Sequence, residues 1–255
     1  PRGAGVITLK SPRELDTMRR AGRIVHDTLA RMAEILEPGM TTEDLDAEAE
    51  RFIRSHEGAT PSFKGLYGFP KSLCTSVDVE IVHGIPSPRK VLHEGSIVSV
   101  DCGVFLDGLH ADSAVTLAVG AISDDIQRLL DVTRASLEAG IAAAVVGNHV
   151  GDIGHAVQTV AEAAGFGVVR ELVGHGIGSR FHEEPQVPNF GAPRRGAALK
   201  PGMTLAIEPM ITMGNPATKT LRDKWTVVTQ DGSLSAHFEH TVAVTTEGPV
   251  ILTTA

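Results

Sequence analysis

The amino-acid sequence predicts an α+β fold in which two pseudo-symmetric halves, each a pair of helices followed by strands, surround a central antiparallel sheet. Three observations support this prediction: two separate pairs of segments with helical periodicity, an internal repeat of matched motifs, and a hairpin signal beside the first of those motifs. We therefore expect a single domain over residues 1–255, with an internal pseudo-repeat of about 10–120 and 121–250.

Four segments are interpreted as helices, and the first two have recognisable end signals. Ser11 is the expected N-cap of the first helix, Pro12 lies in its first turn, and Gly39 closes it. The second helix is capped by Thr41 or Thr42, since either hydroxyl can accept a hydrogen bond from a free amide group. The predicted helices span residues 12–36, 42–55, 124–146 and 151–164.

The strands are predicted from β-branched runs that lie between and after the helix pairs. Two such runs are residues 97–100 and 241–244. Residues 189–196 are rich in glycine and proline, and we interpret them as a loop within the domain.

The internal repeat consists of one motif that follows each helix pair. It reads L-x-x-G-x-x-x-x-[VI]-acid and ends in Asp101 in the first copy and Glu208 in the second, an offset of 107 residues (208 − 101). Each copy is followed by a His-x-acid match, which ends in Asp112 and Glu239 respectively. The second copy has a longer insertion, residues 214–235, between its two acids. The agreement predicts two halves related by a pseudo-two-fold axis.

The first pair of acids lies on either side of a predicted hairpin turn. Asp107-Gly108 between two β runs is a strong two-residue hairpin signal, and it places residue 103 opposite residue 112. Side chains on one face of a strand recur every two residues, so Asp101 shares a face with Asp112, one diagonal step away. Cys102 points to the opposite face and is not counted as a ligand.

The repeat would bring Asp101 and Asp112 against Glu208 and Glu239 in the middle of the protein. Four ionised carboxylates repel one another, and burying them is costly unless cations compensate their charge. Two divalent ions would do so. Oxygen-rich ligation favours Mn, Fe, Co or Mg over a thiolate-rich structural zinc site, and one histidine ligand would favour a transition metal. The alternative is that these are ordinary surface acids at strand ends.

Three histidines are candidates for the fifth ligand. His175 lies between two glycines, which allow backbone or substrate to approach closely, and this favours it as a ligand. His182 and His83 are candidates to transfer protons or to contact a reacting carbonyl. The residues alone leave open which of the three touches metal. Four further histidines receive no role: His93, His110, His155 and His240.

Five long segments closely resemble type I methionine aminopeptidases, which have the pita-bread fold. The resemblance covers about residues 7–253, and its segments are TSVDVEIVHGIPS, SVDCGVFLDGLHADSA, GHGIGSRFHEEPQVPN, LKPGMTLAIEPM and DKWTVVTQDGSLSAHFEHTVAV. It implies a catalytic domain that removes the initiator methionine from nascent proteins and peptides. A small second residue would be preferred, and hydrolysis would be assisted by two divalent ions per chain (Co, Mn, Fe or Zn).

The resemblance also implies roles for individual residues. The metal ligands would be Asp101, Asp112, His175, Glu208 and Glu239, with Asp112 and Glu239 bridging the ions. The catalytic residues would be His83, His182 and Glu208, of which Glu208 is the general base and both histidines also contact substrate. The pocket for the methionine side chain would be lined by Cys74, Phe181 and Trp225.

Four positions depart from the pattern of the family. Asp78 stands where asparagine is common, while Phe63, Leu66 and Phe69 replace smaller or hydroxylated residues of some bacterial relatives. These differences bear on pocket shape and loop geometry.

Three alternatives remain at this point. An X-Pro aminopeptidase or dipeptidase on the same fold would usually carry a large extra N-terminal domain. A type II methionine aminopeptidase would carry a long helical insert between His175 and Glu208, which are here 33 residues apart (208 − 175). A non-catalytic pita-bread protein would lack one or more ligands, and all five are present.

Composition argues against several other classes of protein. A net charge of −8 is unlike that of nucleic-acid or membrane-surface proteins, which usually carry a basic patch. No apolar run approaches the length that spans a bilayer, and the N-terminal residues lack the apolar segment of a secretory signal. Cys74 and Cys102 are expected to be free thiols. We expect a cytoplasmic monomer that acts on nascent N-termini, with a transient ribosome contact.

Overall fold

The structure, a computed structural model, describes residues 6–255. Within these residues the chain forms four α-helices in two consecutive pairs, and a short 3-10 helix spans Leu66–Gly68. The helices are α1 Pro12–Ile35, α2 Thr42–Arg54, α3 Asp124–Ala142 and α4 Val150–Ala163.

The strands lie between and after the helix pairs, as predicted. In chain order they are β1 Thr60–Pro61, β2 Leu73–Val77, β3 Glu80–Val82, β4 Ile97–Leu106, β5 Leu109–Ala118, β6 Gly167–Val168, β7 Gly174–Gly176, β8 Glu183–Val187, β9 Thr204–Ile207, β10 Met210–Thr212, β11 Thr218–Thr220, β12 Val227–Thr229, β13 Ser235–His237, β14 Glu239–Thr245 and β15 Gly248–Ile251. The central antiparallel sheet has the order β1-β4-β5-β14-β9-β7-β8, with β2 beside β4 and β15 beside β14. The α+β prediction is therefore confirmed.

The first two helices begin where the capping signals predict. Ser11 Oγ accepts a hydrogen bond from the backbone N–H of Glu14, whose carboxylate accepts one from the Ser11 N–H, so two free amide groups are satisfied together. Thr41, rather than Thr42, caps α2 through the same exchange with Asp44. α3 ends at Ala142, before its predicted end, because two valines and a glycine with φ +94° follow shortly after it.

Each helix pair covers its own part of the sheet. α1 packs on β4 and β5, and its buried residues share one apolar cluster with α2, β2 and β4. α3 and α4 pack on each other and share a second cluster with β9 and β14. Both halves thus repeat the same layering, a helix pair over a strand pair, and the strand pairs β4-β5 and β14-β9 meet where β5 lies beside β14.

The β4–β5 hairpin has the predicted turn and register. Asp107 and Gly108 have φ of +48° and +87°, the left-handed conformation that a type I′ turn requires at both central residues. Leu106 pairs with Leu109, and Gly103 pairs with Asp112. The pairing deduced from the Asp-Gly signal is confirmed.

Two further observations concern sequence-based expectations. Cys74 and Cys102 are both buried and unbonded, as predicted. Within residues 6–255, no helix is long and apolar enough to cross a membrane.

Replacing Gly22 by alanine should destabilise the protein, although alanine favours a helix by about 1 kcal/mol over glycine. A Cβ on Gly22 would lie 2.0 Å from the carbonyl oxygen of Leu252, so the buried C-terminal segment would have to move away from α1. Overpacking of this kind costs about 1–3 kcal/mol, and we expect a net loss in urea unfolding. Arg23→Ala, at the exposed neighbouring position, should change stability by less than about 0.5 kcal/mol. A more stable Gly22→Ala variant would contradict the close packing.

Candidate metal centre and substrate pocket

The register of the central sheet brings the four predicted acids together. Asp101 on β4 pairs with Ala114 on β5, and Ala114 pairs in turn with Glu239 on β14. Asp112 lies on the same face of β5 as Ala114 because the two are two positions apart. Glu208 directly follows β9, which pairs with β14. The four carboxylates therefore come from four neighbouring strands at the seam between the halves.

These carboxylates are buried and poorly satisfied. The residues Asp112 and Glu239 are only 3% and 1% exposed. Among the described residues, no hydrogen-bond partner is found for Oδ1 of Asp101, Oδ1 of Asp112 or either carboxylate oxygen of Glu239. A buried charged group without a partner is costly, so the arrangement calls for a cation.

Burial raises the pKa of all four carboxyl groups well above the ordinary range, and mutual repulsion raises it further. The charge of Asp112 acts on Asp101, and the charge of Glu239 acts on Asp112. Asp112 and Asp101 add to the effect of burial on the pKa of Glu208, and Glu208 and Asp101 add to it for Glu239. In the absence of cations this centre favours bound protons.

His175 is oriented towards the carboxylates. Its Nδ1–H donates a hydrogen bond to the Gly176 carbonyl oxygen at 2.8 Å, which leaves Nε2 as the nitrogen with a free lone pair. Nε2 lies 3.6 Å from Glu208 Oε1 and 4.0 Å from Asp112 Oδ2. Burial, and then the nearby His182, lowers the pKa of His175 to about 3, so the ring is neutral. This geometry favours His175 as a ligand over His83 and His182.

The glycines that flank His175 are required by the sheet itself. A Cβ on Gly174 would lie 2.2 Å from the carbonyl oxygen of Ala206. A Cβ on Gly176 would lie 2.2 Å from that of Glu184. Close backbone approach therefore explains the Gly-His-Gly sequence.

Two groups of ligand atoms lie close enough to hold an ion each. One group is Asp112, His175 and Glu239, and the other is Glu208, His237 and Glu239. In each group the atoms lie within 4.8 Å of one another. Asp101 belongs to neither group among the residues described, although it lies on the strand next to Asp112.

His237 was not among the residues predicted from the sequence. The side chain is 1% exposed, and its Nε2 lies 3.7 Å from Glu208 Oε2 and 3.8 Å from Glu239 Oε2. Burial, followed by the charge of His83, lowers its pKa to about 3. The His-x-acid match did not single it out, because His110 holds the same position before Asp112 in the first half.

A cavity of about 220 Å³ opens directly on the carboxylates. Cys74, Phe181 and Trp225, which the resemblance assigns to a side-chain pocket, are among the residues that line it. Its other lining residues are Phe63, Leu66, Tyr67, Phe69, Val82, His83, Asp101, Asp112, Leu172, Val173, His175, His182, Glu208 and Met210. The three departures from the family pattern at Phe63, Leu66 and Phe69 therefore all shape this cavity.

The aromatic walls of the cavity are packed edge to face. The ring centroids of Phe63 and Phe181 are 5.2 Å apart at an interplanar angle of 80°. Those of Phe69 and Trp225 are 5.1 Å apart at 76°. Such contacts fix the shape of the cavity in addition to burying apolar surface.

The insertion of the second half supplies one of these walls. Residues 214–235 include the β11–β12 hairpin, and β12 pairs with β3, which leads to His83. The Asp223 carboxylate accepts a hydrogen bond from the Trp225 N–H at 2.9 Å and holds the turn that carries the indole. A segment predicted only as extra length is thus part of the site.

His182 and His83 lie at the cavity beside the candidate ligands. The ring centroid of His182 is 4.4 Å from that of His175. Tyr67 stacks on His182 with centroids 5.6 Å apart, and its hydroxyl lies 3.2 Å from His182 Nδ1. Burial lowers the pKa of both His182 and His83, in the case of His83 to about 4 with a further contribution from His182. Tyr67 had no recognisable sequence signal.

Asp78 is a structural residue of a turn. Its carboxylate accepts hydrogen bonds from the Ile97 N–H at 2.9 Å and from the Ser96 hydroxyl at 3.1 Å. Its φ of +54° is one that Asp and Asn tolerate better than most residues. The departure from asparagine thus lies in the turn before β3, and Asp78 is not among the residues that line the cavity.

The fold and the buried carboxylates define a metal-dependent hydrolase, and residues 16–246 match the model of metallopeptidase family M24. The chain belongs to this family. It is 53% identical over 248 residues to methionine aminopeptidase 1 of Bacillus subtilis. This alignment covers 97% of this chain and 99% of the relative. Identity to the methionine aminopeptidase of Clostridium acetobutylicum is 52% over 248 residues, with the same coverage.

Solved structures agree with the pita-bread assignment. The methionine aminopeptidase of Thermotoga maritima superposes with a TM-score of 0.96 at 42% identity, covering 98% of this chain and 100% of that one. The Xaa-Pro dipeptidase of Bacillus anthracis has a TM-score of 0.76 at 21% identity, a likeness that shows the fold. This chain covers 62% of the dipeptidase.

Replacing Glu239 by glutamine should stabilise the metal-free protein near neutral pH by about 1–3 kcal/mol, because one of four repelling charges is removed. A raised carboxyl pKa stabilises the folded state below the ordinary pKa, and this contribution is lost as the pH rises. The advantage of the variant should therefore grow from about pH 4.5 to about pH 7.5 in unfolding experiments with a chelator present.

With excess divalent metal the wild type should be more stable than Glu239→Gln, since the variant lacks one proposed ligand. Glu247→Gln, at an exposed position after β14, serves as the control and should behave as wild type in both conditions. Wild-type stability that is independent of chelation would contradict a metal centre at these residues.

Proposed function

We propose that this chain removes the N-terminal methionine from proteins and peptides, with a preference for a small second residue, by hydrolysis assisted by two divalent metal ions. The observation that carries the proposal is the juxtaposition of an aromatic, largely apolar cavity with a ring of buried carboxylates. The cavity would bind the methionine side chain, and the carboxylates would hold the metals beside the bond to be cleaved.

The cavity suits methionine for a chemical reason. Methionine is unbranched and polarisable, and its sulfur makes favourable contacts with aromatic rings. Five aromatic residues line the space, namely Phe63, Tyr67, Phe69, Phe181 and Trp225. The Cys74 thiol lines the same cavity, and burial followed by the charge of Asp101 raises its pKa well above the ordinary value, so it presents an uncharged surface.

The ions would be held by Asp101, Asp112, His175, Glu208 and Glu239. Their unpaired buried oxygens and one imidazole fit Co, Mn, Fe or Zn. When bound, such ions provide Lewis acidity towards the substrate carbonyl and lower the pKa of water.

The residues of the chain itself would orient the substrate and transfer protons. A Glu208 carboxylate oxygen accepts the proton of the attacking water and returns it to the leaving amine nitrogen. His182 contributes an N–H towards the carbonyl oxygen as negative charge develops there. His83, which has a φ of +60° and lines the cavity, would contact the peptide beyond the first residue.

The preference for a small second residue would come from the cavity mouth. Tyr67 and His182 are stacked there, and the Tyr67 hydroxyl lies next to the His182 ring. A bulky second side chain would have to displace this stack.

The remaining proposals concern the setting of the reaction. We infer one catalytic domain over residues 1–255 that works as a cytoplasmic monomer on nascent N-termini, with transient ribosome contact. The free, buried cysteines and the net charge of −8 support a reducing compartment and a role without nucleic acid.

A peptide panel tests the proposed specificity. Met-Ala-Ser should be cleaved at least about tenfold better, by kcat/KM, than Leu-Ala-Ser or Met-Leu-Ser, because one misplaced branch in a tight pocket costs about 1–3 kcal/mol. Gly-Pro-Ala reports X-Pro activity and should remain intact. Cleavage confined to bonds before proline would overturn the proposal.

Replacing His182 by alanine should lower kcat for Met-Ala-Ser by about 10²–10³-fold, the usual loss when a donor to a developing oxyanion is removed. The metal content, measured on the same sample, should not change, since His182 is outside both groups of ligand atoms. His155→Ala, at an exposed position on α4, is the control. An unchanged kcat would remove His182 from the mechanism.

A further inference from the structure

His237 occupies an unusual place at the centre of the protein. It lies at the end of β13, two residues before Glu239, and its side chain is 1% exposed. Its backbone is fixed on both sides, because the His237 N–H donates to Thr116 Oγ1 and that hydroxyl donates to the His237 carbonyl, each at 2.8 Å. The position of the imidazole is thus set by the sheet.

The imidazole has no hydrogen bond at Nε2 within residues 6–255. The nearest carboxylate oxygens are Glu208 Oε2 at 3.7 Å and Glu239 Oε2 at 3.8 Å. Both distances exceed the range of about 2.7–3.2 Å that a hydrogen bond from nitrogen to oxygen requires. The ring is therefore aimed at two carboxylates without bonding to either.

The same distances suit three donors around one ion. Metal–nitrogen and metal–oxygen bonds of about 2.0–2.2 Å allow two donors of one ion to lie up to about 4.3 Å apart. Nε2 and its two carboxylate neighbours meet this condition, and all three ligand atoms lie within 4.8 Å of one another. One ion at this position would account for the unpaired Nε2 of His237 and for the unpaired carboxylate oxygens of Glu239.

The counterpart of His237 in the first half shows that the internal repeat alone does not produce this arrangement. His110 precedes Asp112 as His237 precedes Glu239. Its Nδ1 lies 2.8 Å from Ser62 Oγ, and its ring packs against Phe105 and Phe181. His110 is satisfied away from the carboxylates, whereas His237 is directed at them.

We propose that His237 is a sixth protein ligand, which coordinates through Nε2 the ion shared with Glu208 and Glu239. The centre then contains two imidazoles, those of His175 and His237. The inference rests on the proposed two-metal function and deepens it, because it states that the centre is less oxygen-rich than five ligands imply. A second imidazole shifts the preference of the site towards transition metals.

The experiment is a zinc titration of the full chain, made with ¹⁵N-labelled histidine and freed of metal beforehand. Two-bond ¹H–¹⁵N spectra report each ring nitrogen, and a nitrogen that binds Zn²⁺ changes its shift distinctly. At two equivalents of Zn²⁺ we expect two imidazoles to be bound through Nε2. The His175→Gln and His237→Gln variants assign them, and the wild-type spectrum by itself already gives their number.

Calorimetry on the same proteins gives the second readout. His237→Gln should weaken the binding of one of the two zinc equivalents by at least about tenfold, since even partners of ligands contribute that much. His110→Gln, which alters the matched histidine of the first half, should bind both equivalents as wild type does.

Two zinc equivalents with only one bound imidazole would overturn the sixth ligand while leaving the two-metal function intact. So would a weaker affinity of His237→Gln without any change at Nε2 in the wild type, because that pattern belongs to a residue that only positions Glu208. Failure of the wild type to bind zinc, together with inactivity on Met-Ala-Ser, would instead overturn the proposed function itself.

Discussion

The structure depends on one electrostatic constraint, which is that four carboxylates are buried on neighbouring strands of a single sheet. Burial and mutual repulsion both raise their pKa, and several of their oxygens have no partner within the described residues. An apolar interior cannot tolerate this charge alone, so the surrounding strands must hold the acids at positions where cations can bridge them. The rest of the fold thus holds the four carboxylates close together despite their mutual repulsion.

The seam between the two halves provides the necessary rigidity. Thr241 on β14 accepts a hydrogen bond from the Asp112 N–H at 2.9 Å and donates one to the Asp112 carbonyl at 2.7 Å. Thr116 on β5 makes the equivalent exchange with His237. Hydroxyl groups therefore join β5 to the strands of the other half on both sides of the carboxylates. The backbone at Asp112 and at His237 is thus held by hydrogen bonds across the seam.

The two halves have the same layering but contribute differently to the site. The first half contributes a plain hairpin, whereas the second interrupts its strand pair with residues 214–235, which build a wall of the cavity through Trp225. The same asymmetry separates His110, which binds Ser62, from His237, which faces Glu208 and Glu239. Sequence symmetry places the acids, and the departures from symmetry create a pocket on one side of them.

The sequence by itself determined what is local or periodic. Capping residues located the helix starts, Asp107-Gly108 set the hairpin register, and strand parity put Asp101 and Asp112 on one face, because these features depend on a few adjacent residues. Only the tertiary structure decided what depends on distant segments meeting. It oriented His175 through Gly176, brought Tyr67 onto His182 and turned His237 towards the acids. A side chain's partner across the fold is set by the packing of whole strands, and no local pattern encodes it.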